Sequence, residues 1–216
     1  MNSEMEATRI PVINIKLKDE PATVFDSKVG GVPYWDSSDY PSDMIFLAQI
    51  NFDDVPSLNR HGILQFFIGN DDDMGLFAQN FKVVFHEEPS EPVDVVPCES
   101  EFTPIDKPAK MEFEESTEIM SYSDFRFPLD DFDDSVYDNE EFSGAGSKLL
   151  GYPIFTQYDP REYDEALAKY NTLLFQLDSD DPFVCWGDVG VCNFFINDEK
   201  LAENDFSDVL YNWDCY

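Results

Sequence analysis

Few residues in this chain have the types and spacing that chemistry needs. Only two histidines occur, His61 and His86. A hydrolase triad needs a nucleophile, a base and an orienting acid. No G-x-S-x-G elbow accompanies either histidine, so both are expected at the surface, without a catalytic role. Gly144-Ala145-Gly146-Ser147-Lys148 has too few spacer residues for a phosphate-cradling loop and reads as a turn. The acid clusters Asp71-Asp72-Asp73 and Asp178-Ser179-Asp180-Asp181 offer hard oxygen ligands but lack the spacing of a calcium loop, and read as solvated turns. Any two of the 46 acidic residues could form the carboxylate pair of a glycosidase, and nothing in the spacing singles one out. The polar residues with the most distinctive placing are amides: Gln49, Gln65, Gln176 and Asn193, each inside or at the end of an apolar run. A buried amide there locks a neighbouring loop by hydrogen bonds. It could instead line a cleft, with Trp35, Trp186 and Asp178 contributing surface.

The elements that must position these amides come as two similar series. Gly31-Val32-Pro33 matches Gly151-Tyr152-Pro153 at an offset of 120 residues. Gln49-Ile50-Asn51-Phe52-Asp53-Asp54 matches Gln176-Leu177-Asp178-Ser179-Asp180-Asp181 at 127, and Gly62 to Ile68 matches Gly190 to Ile196 at 128. The order is the same both times: a Gly-x-Pro turn, an apolar run closing on an amide and acids, then glycine and a Phe-Phe-Ile run. The reading is an internal duplication, with a first copy over 25–86 and a second over 144–216 within one compact domain. Strands are expected at 45–50, 63–68, 81–86, 172–177, 191–196 and 208–213, from apolar runs bounded by polar residues. An edge strand is expected at 10–17, where Ile13, Ile15 and Leu17 alternate with polar residues. Asp159-Pro160 opens a helix predicted to run to Tyr170, with Tyr163, Ala166, Leu167 and Tyr170 on its apolar face. The fold class expected is therefore α+β: duplicated, mainly antiparallel sheets with short helices about a pseudo-two-fold.

Residues 87–143 connect the copies and hold 19 acids against 3 bases and 6 of the 14 prolines. The segment also carries Phe102, Met111, Phe113, Ile119, Phe127 and Phe142, more large apolar groups than a disordered linker has. It reads as ordered, with a strand near 110–113, a short helix near 130–141 and a negative patch at Asp130, Asp131, Asp133 and Asp134.

Charge limits the partners. The formal net charge is -33, and phosphate backbones demand clustered Lys and Arg, so nucleic acid is not expected; an anionic membrane surface would repel the chain as well. A basic protein would be attracted and steered. No apolar run reaches the roughly 20 residues of a membrane span, and the first twenty residues do not read as a signal peptide. Cys98, Cys185, Cys192 and Cys215 form no CxxC pair; free thiols and a cytoplasmic setting are expected, and no cofactor motif is present.

Ser27-Lys28-Val29-Gly30-Gly31-Val32-Pro33, Phe46 to Asn51 and Gly62 to Phe67 resemble the YwqG family of bacterial proteins. Leu150-Gly151-Tyr152-Pro153, Leu173 to Asp178, Trp186-Gly187-Asp188, Asn193 to Ile196 and Asp205 to Cys215 agree with it. The resemblance implies a duplicated, mainly antiparallel fold and carries over no activity or catalytic residue. The functional expectation is a non-enzymatic, immunity- or inhibitor-like protein whose acidic face meets a basic partner. The alternative is a small-ligand or hydrolytic domain that uses a cleft between the copies.

Overall fold

The computed structural model describes residues 3–128 and 134–216. Ten strands are hydrogen-bonded in the order β10-β9-β8-β7-β1-β6-β2-β3-β4-β5. They are β1 (Ile10–Lys18), β2 (Lys28–Val29), β3 (Ile45–Asn51), β4 (Ile63–Ile68), β5 (Phe81–His86), β6 (Ala109–Glu118), β7 (Lys148–Leu150), β8 (Thr172–Asp178), β9 (Val191–Ile196) and β10 (Val209–Asp214). The pairings β2·β3, β2·β6, β3·β4, β4·β5, β1·β7, β7·β8, β8·β9 and β9·β10 are all antiparallel.

The α+β expectation is overturned. Among the described residues the α-helices are α1 (Ser3–Glu6), α2 (Pro160–Tyr163) and α3 (Asp198–Ala202), each at most five residues long, and the other helical turns are short 3-10 segments. The chain is mainly antiparallel β, and its described strands form one hydrogen-bonded series rather than the α+β duplicated sheets expected. Strand β1 is not an edge: it lies between β7 and β6. Its alternation reflects one buried face, which an interior strand also shows.

The chain divides into two compact units. Unit 1 comprises Met1–Ile15, Glu114–Ser179 and Trp186–Tyr216; unit 2 comprises Lys16–Phe113 and Asp180–Cys185. In unit 2 every residue of β4 is buried, whereas β5, at the end of the series, leaves its residues partly exposed. Trp35, Met44, Phe46 and Phe67 form an apolar cluster there. In unit 1, β9 is likewise wholly buried, and Phe155, Tyr170, Leu173, Phe195 and Leu210 pack together. In the acidic connection, Ile119, Phe127, Val136 and Phe142 are buried together with Met5.

The helix predicted from Pro160 to Tyr170 stops after one turn. Asp159 caps it by accepting from the Arg161 N–H. Asp164 then takes an extended conformation (φ -135°, ψ 105°) and caps a separate 3-10 turn at Glu165–Leu167. Asp at that position competes for the backbone, and Tyr163 is left 71 % exposed rather than on an apolar face.

Candidate functional site

The amides singled out by sequence are the hubs of two similar local arrangements, one in each unit. In unit 2, Gln49 and Gln65 are opposed across β3·β4 and both are fully buried. Gln49 Oε1 accepts from Tyr34 N (2.9 Å), and its Nε2 donates to the carbonyls of Val24 (2.7 Å) and Asp26 (2.9 Å). Gln65 Nε2 donates to Tyr34 O (2.6 Å) and Gln49 Oε1 (3.1 Å). In unit 1, Gln176 and Asn193 are opposed across β8·β9. Gln176 Oε1 accepts from Ile154 N (2.9 Å), its Nε2 donates to Gly144 O and Gly146 O, and Asn193 Nδ2 donates to Ile154 O (2.9 Å). Each of these amides donates to a loop carbonyl, so their role is structural locking. Trp35 is 2 % exposed and Trp186 is fully buried; Asp178 accepts from Gly146 N and Ser179 N. These residues are therefore interior or occupied. Of the acidic patch, Asp130, Asp131 and Asp133 lie outside the described residues, and Asp134 opens a 3-10 turn.

Function is more readily sought where the two arrangements differ. Lys28 and Lys148 stand opposite Gln49 and Gln176 in register. The buried Lys148 ammonium donates to Glu118 Oε2 (2.8 Å), Glu118 Oε1 (3.1 Å) and Tyr152 O (3.0 Å). Lys28, 3 % exposed, donates to Thr23 O at 2.5 Å, and among the described residues no carboxylate pairs with it. Burial lowers the Lys28 ammonium to a pKa of about 8, against an opposing pull from Asp26.

The second difference lies at the end of the outer strands. Asp214, opposite Val191, accepts from Thr156 N (3.1 Å) and Gln157 N (2.9 Å), a closed arrangement. The matching place opposite Ile63 holds His86, so the surface expectation for this histidine is corrected: its side chain is 9 % exposed. Because both donors of Gln65 are used, its Oε1 must accept, which puts the proton on His86 Nε2 (3.0 Å). His86 Nδ1 then faces Asp36 Oδ1 at 3.4 Å. Burial pushes the imidazole below its usual range, opposed by Asp36. Burial also raises Asp36, but hydrogen bonds from Tyr34 and Ser90 and the charge of His86 outweigh it and leave that carboxyl low. His61 behaves as expected, exposed beside Asp53.

Asp36 also lines an open groove of about 690 Å³, with Asp94 and the valines 93, 95 and 96. Tyr40 and three serines complete the lining, and none of its side chains is cationic. The Tyr40 hydroxyl is buried without a hydrogen bond, and burial raises it to about 12. Val96 is 81 % exposed. Sequence reading missed Asp36, Tyr40 and Lys28 as site residues. The repeated Ser-Lys-x-x-Gly-x-Pro at 27–33 and 147–153 was the available signal for Lys28.

What these features define is a mainly antiparallel β protein with amide-locked loops, an acidic groove and a buried lysine without a carboxylate in ion-pair contact. The chain belongs to the family described as "Domain of unknown function (DUF1963)", whose model matches residues 27–215. Comparison with curated proteins gives no match. Among the described residues, no helix is long and apolar enough to cross a membrane, and no group of three or more His, Cys, Asp or Glu side chains is arranged to hold a metal ion.

Proposed function

We propose that this protein is a non-enzymatic binding protein whose groove along Asp36, Asp94 and Val93 to Val96 takes a basic segment of a partner protein. The observation that carries this reading is the lining itself: two carboxylates beside exposed valines and no cation. A segment alternating Lys or Arg with apolar residues complements it in charge and in burial. The distribution of cations supports the same reading. Lys18, Lys107 and Lys110 in unit 2, and Arg126, Lys169 and Lys200 in unit 1, are held by acids of their own unit. Few positive charges are left to screen a chain of net charge -33 from a cationic partner. An immunity- or inhibitor-like role in the cytoplasm fits such a binder.

The test is a panel of basic peptides with interleaved apolar residues, titrated at several salt concentrations. Binding should weaken steeply with salt. Asp94→Lys should weaken the best peptide by at least about tenfold, equivalent to about 1.4 kcal/mol. Glu203→Lys, the same charge change at an exposed position of unit 1, should leave most of the affinity. Equal losses from both variants would reduce the effect to net charge and remove the groove from the reading.

A further inference from the structure

The difference between Lys28 and Lys148 identifies a second site, independent of the groove. Residues 27–33 (SKVGGVP) and 147–153 (SKLLGYP) share Ser, Lys, Gly and Pro at the same places. They also share a backbone shape. Gly30 and Leu150 have φ 59° and 61°, and Gly31 and Gly151 have φ 72° and 77°. Both segments are pinned alike, by a glutamine Oε1 accepting from the backbone N–H that follows the proline. The Ser27 and Ser147 hydroxyls accept from Asn51 N (2.8 Å) and Asp178 N (3.0 Å).

What unit 1 builds on this shape is a carboxylate receptor. The Glu118 carboxylate accepts twice from Lys148 Nζ and once from Tyr152 N, and it lies against Gly151, where a Cβ would overlap it. Unit 2 has the same lysine, the same left-handed glycine and the same N–H position at Val32. No internal acid fills the cradle. A Cβ on Gly31 would meet only Pro108 Cβ, at 3.6 Å. Instead, a pocket of about 330 Å³ runs along Lys28 to Val32, closed by Asp19 to Ala22 and by Pro108 and Ala109.

We propose that this pocket binds a small organic monocarboxylate in the manner of Glu118, with the acid group between Lys28 Nζ and the Val32 N–H. Charge-assisted hydrogen bonds of that kind are about twice as strong as neutral ones, and the ligand supplies the directly bonded carboxylate that the buried ammonium lacks. The walls set the rest of the ligand. Pro21, Ala22, Val29, Val32, Pro108 and Ala109 favour an apolar body. Asp19 and Glu20 oppose a second negative charge; Asp19 is itself held by Lys107 Nζ at 2.5 Å. The class is therefore a short-chain or small aromatic monoacid, not a diacid or a phosphate ester.

Butyrate, titrated into the full chain at constant ionic strength and followed by backbone amide resonances, tests this. A saturable shift centred on Gly31 and Val32, absent with chloride and at least tenfold weaker with succinate, is expected. Lys28→Met should weaken butyrate binding at least tenfold while the rest of the spectrum persists. Ala22→Glu, which tethers a carboxylate to the pocket wall, should abolish the butyrate response and shift the Val32 amide by itself. No saturable shift in the unmodified protein, an unchanged response in Lys28→Met, or equal binding of succinate would each overturn the proposal.

Discussion

At the scale of residues, the fold depends on buried amides that tie loops to strands by hydrogen bonds. Gln49 serves three backbone groups in two loops, and Gln65 links it to His86. Lys28 is the charged group that departs furthest from this, since one hydrogen bond to a carbonyl leaves its ammonium without a carboxylate in ion-pair contact, in a nearly inaccessible place. Its folded pKa of about 8 lies below the ordinary lysine value of 10.5. Between those two values the unfolded chain binds more protons than the folded one, so this group makes stability rise with pH from about 8 to about 10.5. Below that window the buried charge opposes folding by about 3 kcal/mol. Lys28→Met should therefore stabilise the protein against urea at pH 7 by a few kcal/mol, and the gain should shrink towards zero at pH 10.5. A variant less stable than the parent at pH 7 would show that the ammonium's single bond outweighs its desolvation.

At the scale of elements, the second half of the connection and the short helix α2 are tied by one arginine. Arg161, with its side chain fully buried, donates to Asp159 Oδ1 and Oδ2, to Asp124 Oδ2 (3.4 Å) and to Tyr170 O (3.1 Å). Its guanidinium lies 4.0 Å from the Phe195 ring centre and 4.8 Å from that of Phe125. Removing one partner of a buried ion pair strands the other charge. Arg161→Leu should lose about 3–5 kcal/mol of stability, while Lys169→Ala, which breaks the exposed pair with Asp208, should lose less than about 1 kcal/mol. Urea melts of the two variants check both, and near-equal losses would contradict the ranking. This cluster also shows what sequence makes legible. Apolar runs punctuated by Gly, Pro and acids mark β3, β4, β8 and β9 closely, because burial on both faces leaves a continuous signal. Asp159-Pro160 marks the start of α2 for the same local reasons. The early stop of that helix was hidden, because Asp164 reads as an acceptable first-turn acid until its backbone is seen to be extended. The candidate site was less legible. Lys148 and Glu118 are 30 residues apart, so nothing local distinguishes a lysine with an acid from a lysine without one. The amides were legible as hubs, and their burial removed them as contact surface.

At the scale of the whole molecule, charge is the strongest influence that packing does not decide. A net charge of -33 on 216 residues favours expansion by self-repulsion. Ion pairs such as Lys110 with Asp26, whose carboxyl is held at about 2 chiefly by the Lys110 hydrogen bond, offset only part of it. Salt shortens the reach of the remaining repulsion to about 10 Å at 0.1 M and about 3 Å at 1 M. Surface ion pairs are screened by the same salt but contribute little each, so the loss of repulsion outweighs the loss of pairing. Raising sodium chloride from 10 mM to 0.5 M at pH 7.5 should therefore raise Tm, by several degrees if about 1–2 kcal/mol of repulsion is relieved. The steepest part of the rise should fall below about 0.15 M, where the Debye length changes most. A Tm that falls with salt would mean that the paired cations, not the excess acids, set the electrostatic balance. Because the same screening weakens attraction to a basic partner, stability and peptide affinity should move in opposite directions along one salt series. Parallel movement would separate the groove's binding from the charge to which it is attributed.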